Sequence, residues 1–445
     1  MAPWTLPAEW KPWIAKLAGW LHARNAHRLQ PLFVGLLFAQ GRRTVASWLR
    51  AAELGHDFRA YYYFLGSLGR KTNQVAVSVL QIALTVIVPG DRLLFGLDDT
   101  PTKRFGPQVE GAGIHHNPTP GPAGQKFLSG HVWVTLAWLV RHPRWGTIAL
   151  PLLAFLYVRQ KDLKRLPSWY RVVFQTKLEM AAALVQWLVT WLKHLGKTLW
   201  LVADGAYAKR PLLKAARQAG VVIVSRLRCD AALWSVPPTP RAGAPKRRGR
   251  PRLYGQEKLS LVKRAAHPRG WQTGTFTLYG HAVSKTYKSF LATYKPAGGL
   301  IHVVLVKEDQ EWRAYFCTDP AATVRDLLEA VADRAAIEQA FHDLKEVHGA
   351  GQQQVRHYWA SVAAYHLQLW WHTLIEVWAW DRPQRELCDR SARPWDDATR
   401  RPSHADRRNA LRRQCLLQAF REDPTHGTLS RKLRRLVAST VKLVS

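Results

Sequence analysis

Apolar positions along the chain change their spacing three times. From residue 1 to 90 they recur at helical intervals, as in "EWKPWIAKLAGWLHA", and "RRTVASWLRAAEL" predicts the start of a small helix-turn-helix-like unit. From 92 the pattern becomes short apolar runs between turns. "RLLFGL" (92–97) ends in a pair of acids, and "HVWVTLAWLV" and "WGTIALPLLAFLYV" follow a Gly/Pro-rich loop at 106–124. "QTKLEMAAALVQWLVTWLKHL" (175–195) returns to helical spacing. "TLWLVADG" (198–205) predicts a buried strand, "KRPLLKAARQAG" (209–220) a helix closed by Gly220, and "VVIVSRL" (221–227) another strand. Residues 229–320 combine a Pro/Arg-rich loop with β-like runs. A helix is predicted over 321–349 and an aromatic one over 357–380, before an Arg-rich tail with little periodicity.

Three strands, helix, strand, helix, strand predicts an α/β fold with a mixed sheet, the element order of an RNase H-like domain. The predicted domains are a helical DNA-binding region (1–90), a first core segment (91–228), a β-rich insertion (229–320), the remaining core helices (321–380) and an Arg-rich region (381–445).

Charge narrows the function classes. The chain has 65 basic and 31 acidic residues, a net +34. Such a surplus predicts attraction to a polyanion, with nucleic acid ahead of an anionic membrane surface. A membrane span needs about 20 uninterrupted apolar residues. The best runs here are shorter and are separated by Arg141, His142 and Arg144, so they are expected to be buried strands. Four cysteines without a CxxC pair argue against structural zinc and disulfides, and fit a reducing cytoplasm, in contact with the nucleoid.

The candidate chemistry lies in carboxylates. Asp98 and Asp204 close two strands expected to be neighbours, and ligands in open α/β sheets collect at the carboxyl ends of strands. Arg334, Glu338 and Lys345, four and seven residues apart, share one helical face. That spacing also suits surface salt bridging, worth only about 0.2–0.5 kcal/mol per pair. Three clustered acids repel one another unless divalent cations neutralise them, and hard oxygen ligands suit Mg²⁺ or Mn²⁺. Two ions about 3.5–4 Å apart would activate a water or 3′-hydroxyl and stabilise the leaving oxygen of a phosphodiester.

These residues resemble those of DDE transposases of bacterial insertion sequences, in the insertion-sequence-four-like group with a β insertion between the second Asp and the Glu. "LDDT" is similar to the family's D-x-T block and "LVADGAYAK" to its second Asp block. Arg334, Glu338 and Lys345 match the last three members of Y-x2-R-x3-E-x6-K, while Val331 stands at the Tyr position. The resemblance covers roughly 90–380. It implies Asp98, Asp204 and Glu338 as catalytic metal ligands for two Mg²⁺ or Mn²⁺ ions. It also implies Arg334 and Lys345 on phosphates of the element's ends, and a homodimer on paired double-stranded DNA ends. The family's insertion domain often carries a Trp that stacks on a flipped base; Trp312 is the first candidate and Trp271 the second, unless both pack in the core.

Further DNA contacts are expected from "APKRRGRPRLYG" (244–255), where Lys246, Arg247, Arg248, Arg250 and Arg252 surround a Gly-Arg-Pro core like an AT-hook. Lys103 and Arg104 are expected near Asp98, as phosphate contacts or partners of Asp99. His342 faces roughly with Glu338. Arg42, Arg43 and Arg50 either lie on phosphates or line a solvated helix face. His115 and His116 suit a plain loop better than a metal site. Strand alternation means that Asp98 and Asp99 cannot both face Asp204. The resemblance to the family's D-x-T pattern implies Asp98 as the metal ligand, and Asp99 is then expected to cap the turn or pair with Lys103 or Arg104. The competing readings are a catalytically silent DNA-binding protein derived from a transposase, and a stand-alone RNase H-like nuclease.

Overall fold

The computed structural model describes residues 5–117, 124–238, 252–309, 311–390, 395–397 and 399–422. Its sheet is built around β1 (Arg92–Lys103). β1 pairs antiparallel with β3 (Phe127–His142), and β3 with both β2 (Gly113–His116) and β4 (Gly146–Tyr157). On its other side β1 runs parallel to β5 (Thr198–Ala203), and β5 parallel to β6 (Val222–Leu227). Antiparallel meander followed by parallel crossovers is the RNase H-like order that the sequence predicts. The crossover helices are Lys177–Leu192 and Arg210–Ala219. The first opens with a capping box between Thr176 and Glu179, and the second closes on Gly220 at φ 71°.

Among the described residues, the β-rich stretch that follows continues this same sheet. β12 (Trp312–Cys317) hydrogen-bonds β6, and the order runs on through β11 (Gly299–Lys307), β10 (His281–Tyr294), β7 (Leu233–Trp234) and β8 (Lys258–Leu259). β9 (Gln272–Leu278) pairs β10. The shared ladder fixes Trp312 against the end of β6, near the second acid.

β4 pairs only with β3 among the described strands, and it bulges where Leu136 and Ala137 face Leu153 and Pro151. Unpaired backbone groups on a buried edge are costly. The aromatic helix Tyr358–Ala379 covers them. Thr373 Oγ1 donates to the Pro151 carbonyl at 2.6 Å, Trp370 Nε1 donates to Leu152 at 2.9 Å, and the Ala154 N–H donates to His366 Nε2 at 3.2 Å. The apolar runs at 132–157 are therefore interior strands, and no described helix is long and apolar enough to cross a membrane.

The amino-terminal region is helical, as expected, and packs on the aromatic helix. At Gly69, in helix Phe58–Gly69, an added Cβ would lie 2.0 Å from the Trp359 carbonyl oxygen. Gly69→Ala must push two backbones apart. It is expected to destabilise the fold by about 1–3 kcal/mol or more, read as a lowered thermal midpoint.

Two expectations are corrected. The predicted helix 321–349 is two helices, Val324–Asp333 and Ala335–Glu346, meeting at Arg334. Thr323 caps the first, which delays its start, and a tighter bond from the Ile337 N–H to the Arg334 carbonyl (3.0 Å) marks the junction. The unpatterned tail contains helix His404–Glu422. Its inward face carries the buried side chains His404, Arg407 and Arg408 beside Leu411 and Cys415, so apolar periodicity does not reveal it.

Candidate active site

β1 does not stop at the acid pair but continues through it to Lys103. Asp98 and Asp99 consequently point to opposite faces. The parallel register sets Leu97 beside Ala203, which brings Asp98 next to Asp204, the residue that leaves β5.

Glu338 reaches the same place through Arg334. The Arg334 guanidinium donates to Asp98 Oδ2 at 2.6 Å and to Glu338 Oε1 at 2.8 Å. One fork-shaped cation thus spans a carboxylate on the central strand and one on the helix packed over it. Because Arg334 sits at the junction of the two helices, their geometry sets its reach. Glu338 remains largely exposed and Asp204 is exposed, so these two oxygen donors stay accessible.

Asp98 is different. Burial pushes its carboxyl up to about 6, reinforced by the neighbouring charges of Asp99 and Asp204. Arg334 and the Asp99 N–H, which donates to Asp98 Oδ1 at 2.8 Å, oppose the rise without cancelling it. The site is short of positive charge. Hard, crowded oxygen donors of this kind fit a divalent cation.

Asp99 has its own partners, and neither is the expected Lys103 or Arg104. Lys177 Nζ lies 2.7 Å from Asp99 Oδ2, and the Tyr207 hydroxyl donates to Oδ1 at 2.7 Å. Tyr207 belongs to the short turn that begins at Asp204, so Asp99 fastens the Asp204 turn to β1. Burial and the Asp99 charge hold the Tyr207 hydroxyl protonated far above its ordinary range.

The remaining predicted residues separate. Arg104 is buried and turned inward, where it donates to the carbonyls of Gly351 (3.3 Å) and Val355 and to Gln353 Oε1 (3.2 Å). It is no surface phosphate contact: it anchors the loop behind the Glu338 helix. Lys103 is exposed. Lys345 is half-buried, its ammonium has no hydrogen-bond or ion-pair partner among the described residues, and burial lowers its pKa. His342 is exposed, 3.6 Å from Asp343. Trp312 lines a cleft with Asp204, Arg226, Arg228 and Arg313, whereas Trp271 carries Lys288 Nζ over its ring at 4.7 Å. Arg252 is exposed, and Lys246, Arg247, Arg248 and Arg250 lie outside the described residues. His115 and His116 form β2, a strand rather than a loop.

The family described as DDE superfamily endonuclease matches residues 16–286, most of the chain. The chain belongs to this family. The matched span of this DDE-type transposase contains Asp98 and Asp204 and ends before the helix that carries Glu338. Among curated proteins, none matches the chain. Membership makes DNA the substrate class of the DDE nuclease domain, and nucleases of this superfamily generally use divalent metal ions.

One polar cluster escaped the sequence reading. His372, Glu376 and His404 are buried with ligand atoms within 4.8 Å of one another. Glu376 Oε1 accepts from His404 Nδ1 at 2.6 Å, and Arg407 holds its other oxygen. The carboxylate is already matched by a guanidinium. The cluster therefore reads as a buried ion pair that fastens the carboxy-terminal helix to the aromatic helix. His372 and Glu376 stand four residues apart on the aromatic helix, but their third partner, His404, opens the carboxy-terminal helix 28 residues beyond Glu376, so the cluster is not legible from local spacing.

Proposed function

We propose that this DDE superfamily endonuclease is an insertion-sequence transposase of the group with a β insertion between its second Asp and its Glu. Asp98, Asp204 and Glu338 would hold two Mg²⁺ or Mn²⁺ ions. Bound there, the ions would supply Lewis-acid stabilisation and a nucleophilic oxygen for phosphodiester cleavage and strand transfer. The observation that carries the reading is Arg334, which joins Glu338, four residues along its helix, to Asp98, 236 residues before it in the chain. The rest of the site supports it: Asp99, Lys177 and Tyr207 hold the Asp204 turn against β1, and Lys345, Lys103 and His342 stand on exposed or half-exposed positions suited to phosphates.

The substrate would be double-stranded DNA with the element's terminal inverted repeats, held by a homodimer on paired ends. Trp312, in its cleft beside Asp204, would meet an unpaired base. Arg252 would belong to the basic arm that also includes Lys246, Arg247, Arg248 and Arg250. The test is incubation of the protein with such end DNA, a target plasmid and Mg²⁺ or Mn²⁺. Cut ends and joined products are expected. Cut ends without joined products would indicate a nuclease, and binding without cutting would indicate a silent DNA-binding derivative.

A further inference from the structure

We propose that Arg43, Arg408 and Arg412 form a receptor for one phosphate of the DNA backbone, at the seam between the amino-terminal helices and the carboxy-terminal helix. The inference rests on the DNA-cutting reading above and extends it to a surface away from the three acids.

All three side chains converge on the carboxyl end of helix Leu29–Phe38. Arg408, only 5% exposed, donates to the Leu37 carbonyl at 2.6 Å and more weakly to Leu36 at 3.4 Å. The Arg412 guanidinium lies 5.5 Å from the centre of the Phe38 ring. Arg43 donates to the Gly41 carbonyl at 2.7 Å, just past the helix end. A helix carboxyl terminus offers roughly half a negative charge. Three guanidiniums therefore leave a large positive excess. Among the described residues no carboxylate forms an ion pair with any of them, and the buried Nε of each lacks a hydrogen-bond partner.

Such a cluster is unfavourable unless an anion joins it. Burial pulls all three guanidiniums down, that of Arg408 to about 9, and Arg408 and Arg412 each also feel the charge of Arg43. Planar forks of N–H donors match phosphate oxygens. Arg43 and Arg412 are half-buried, which leaves their outer nitrogens within reach of a ligand.

Position selects DNA over a free anion. The Arg43 N–H donates to Gln352 Oε1 at 2.9 Å, and a Cβ on Gly349 would touch Arg43 at 2.5 Å. Gly349 follows the helix that carries Lys345, so the cluster adjoins that unpaired lysine's helix along one surface. The Gly349 N–H donates to the Lys345 carbonyl at 3.1 Å, so the Lys345 turn and Arg43 meet at Gly349.

The test is the salt dependence of binding to a short fluorescent duplex, with thermal midpoints measured in parallel. Wild type is compared with Arg43→Gln/Arg412→Gln, which leaves the buried Arg408 in place. Each neutralised phosphate contributes about 0.9 to the slope of log K against log salt. The double variant is expected to lose about one unit of slope while its thermal midpoint stays level or rises, because like charges have been removed. An unchanged slope with a lowered midpoint would overturn the inference, making the arginines a structural cap. Inorganic phosphate that raises the midpoint of wild type alone, with the duplex slope unchanged, would overturn it in favour of a small-anion site. Lys345→Gln serves as comparator: slope lost there but not at the seam sinks this inference alone. No duplex binding by wild type sinks the DNA-cutting reading itself.

Discussion

Lowering the pH from 7 to 5 is expected to unfold the chain cooperatively, well above the range where carboxylates titrate. Burial holds four histidines neutral in the fold: His131 is pushed down to about 3, His366 and His404 to about 4, and His348 well below its ordinary value. The hydrogen bonds explain why. His366 donates from Nδ1 to the Val362 carbonyl and accepts at Nε2 from the Ala154 N–H, so a second ring proton would break the bond that covers β4. His404 and His348 face each other through their Nε2 atoms at 2.7 Å, a contact with room for one proton.

The sign follows from proton counting. Between the folded values and 6.5 the unfolded chain binds protons that the folded chain refuses, so stability is full above 6.5 and falls as pH drops. Each such group costs about 1.4 kcal/mol per pH unit. Asp98, raised to about 6, works in the opposite direction and offsets one of the four. The remainder is about 4 kcal/mol per pH unit, against a total stability of about 5–15 kcal/mol for an ordinary domain. Tryptophan fluorescence across a pH series measures this directly, since the chain has 21 tryptophans. A transition only below pH 4 would mean that these rings are not held neutral.

The second large effect separates two adjacent acids. Asp98→Ala should lose DNA cleavage by about a thousandfold, the upper end of the loss seen when one electrostatic element of an active site is removed. Asp99→Ala removes no ligand. It frees Tyr207 and Lys177 and loosens the Asp204 turn, so cleavage should fall about tenfold to a hundredfold and remain measurable. Tyr207→Phe, which deletes only the hydroxyl, should reproduce part of that loss. Equal inactivity of both alanine variants, with both folded, would remove the distinction between ligand and support.

Legibility in the sequence followed the range of each interaction. Apolar periodicity revealed β1, β3, β4, β5 and β6 and their crossover helices, because burial of each strand is written locally. Spacing along one helix placed Arg334 with Glu338, and the ends of two apolar runs pointed to Asp98 and Asp204. What stayed hidden depends on partners far along the chain. Asp99 meets Lys177 and Tyr207, 78 and 108 residues away. Arg104 looks like any surface cation until residues 351–355 wrap it. The carboxy-terminal helix buries arginines where apolar periodicity would place leucines; Arg407 pairs with Glu376 and Arg408 donates to the Leu37 carbonyl, neither of them a neighbour in sequence.

The central claim is that Asp98, Asp204 and Glu338 form one metal-dependent centre that cuts DNA. The most direct measurement compares wild type with Asp204→Asn and Glu338→Gln on the same end-bearing DNA, following binding and cleavage together with Mg²⁺, with Mn²⁺ and with chelator. The account predicts equal binding by all three proteins, with cleavage only by wild type and only with metal. Cleavage by either variant, or by wild type in chelator, would contradict it.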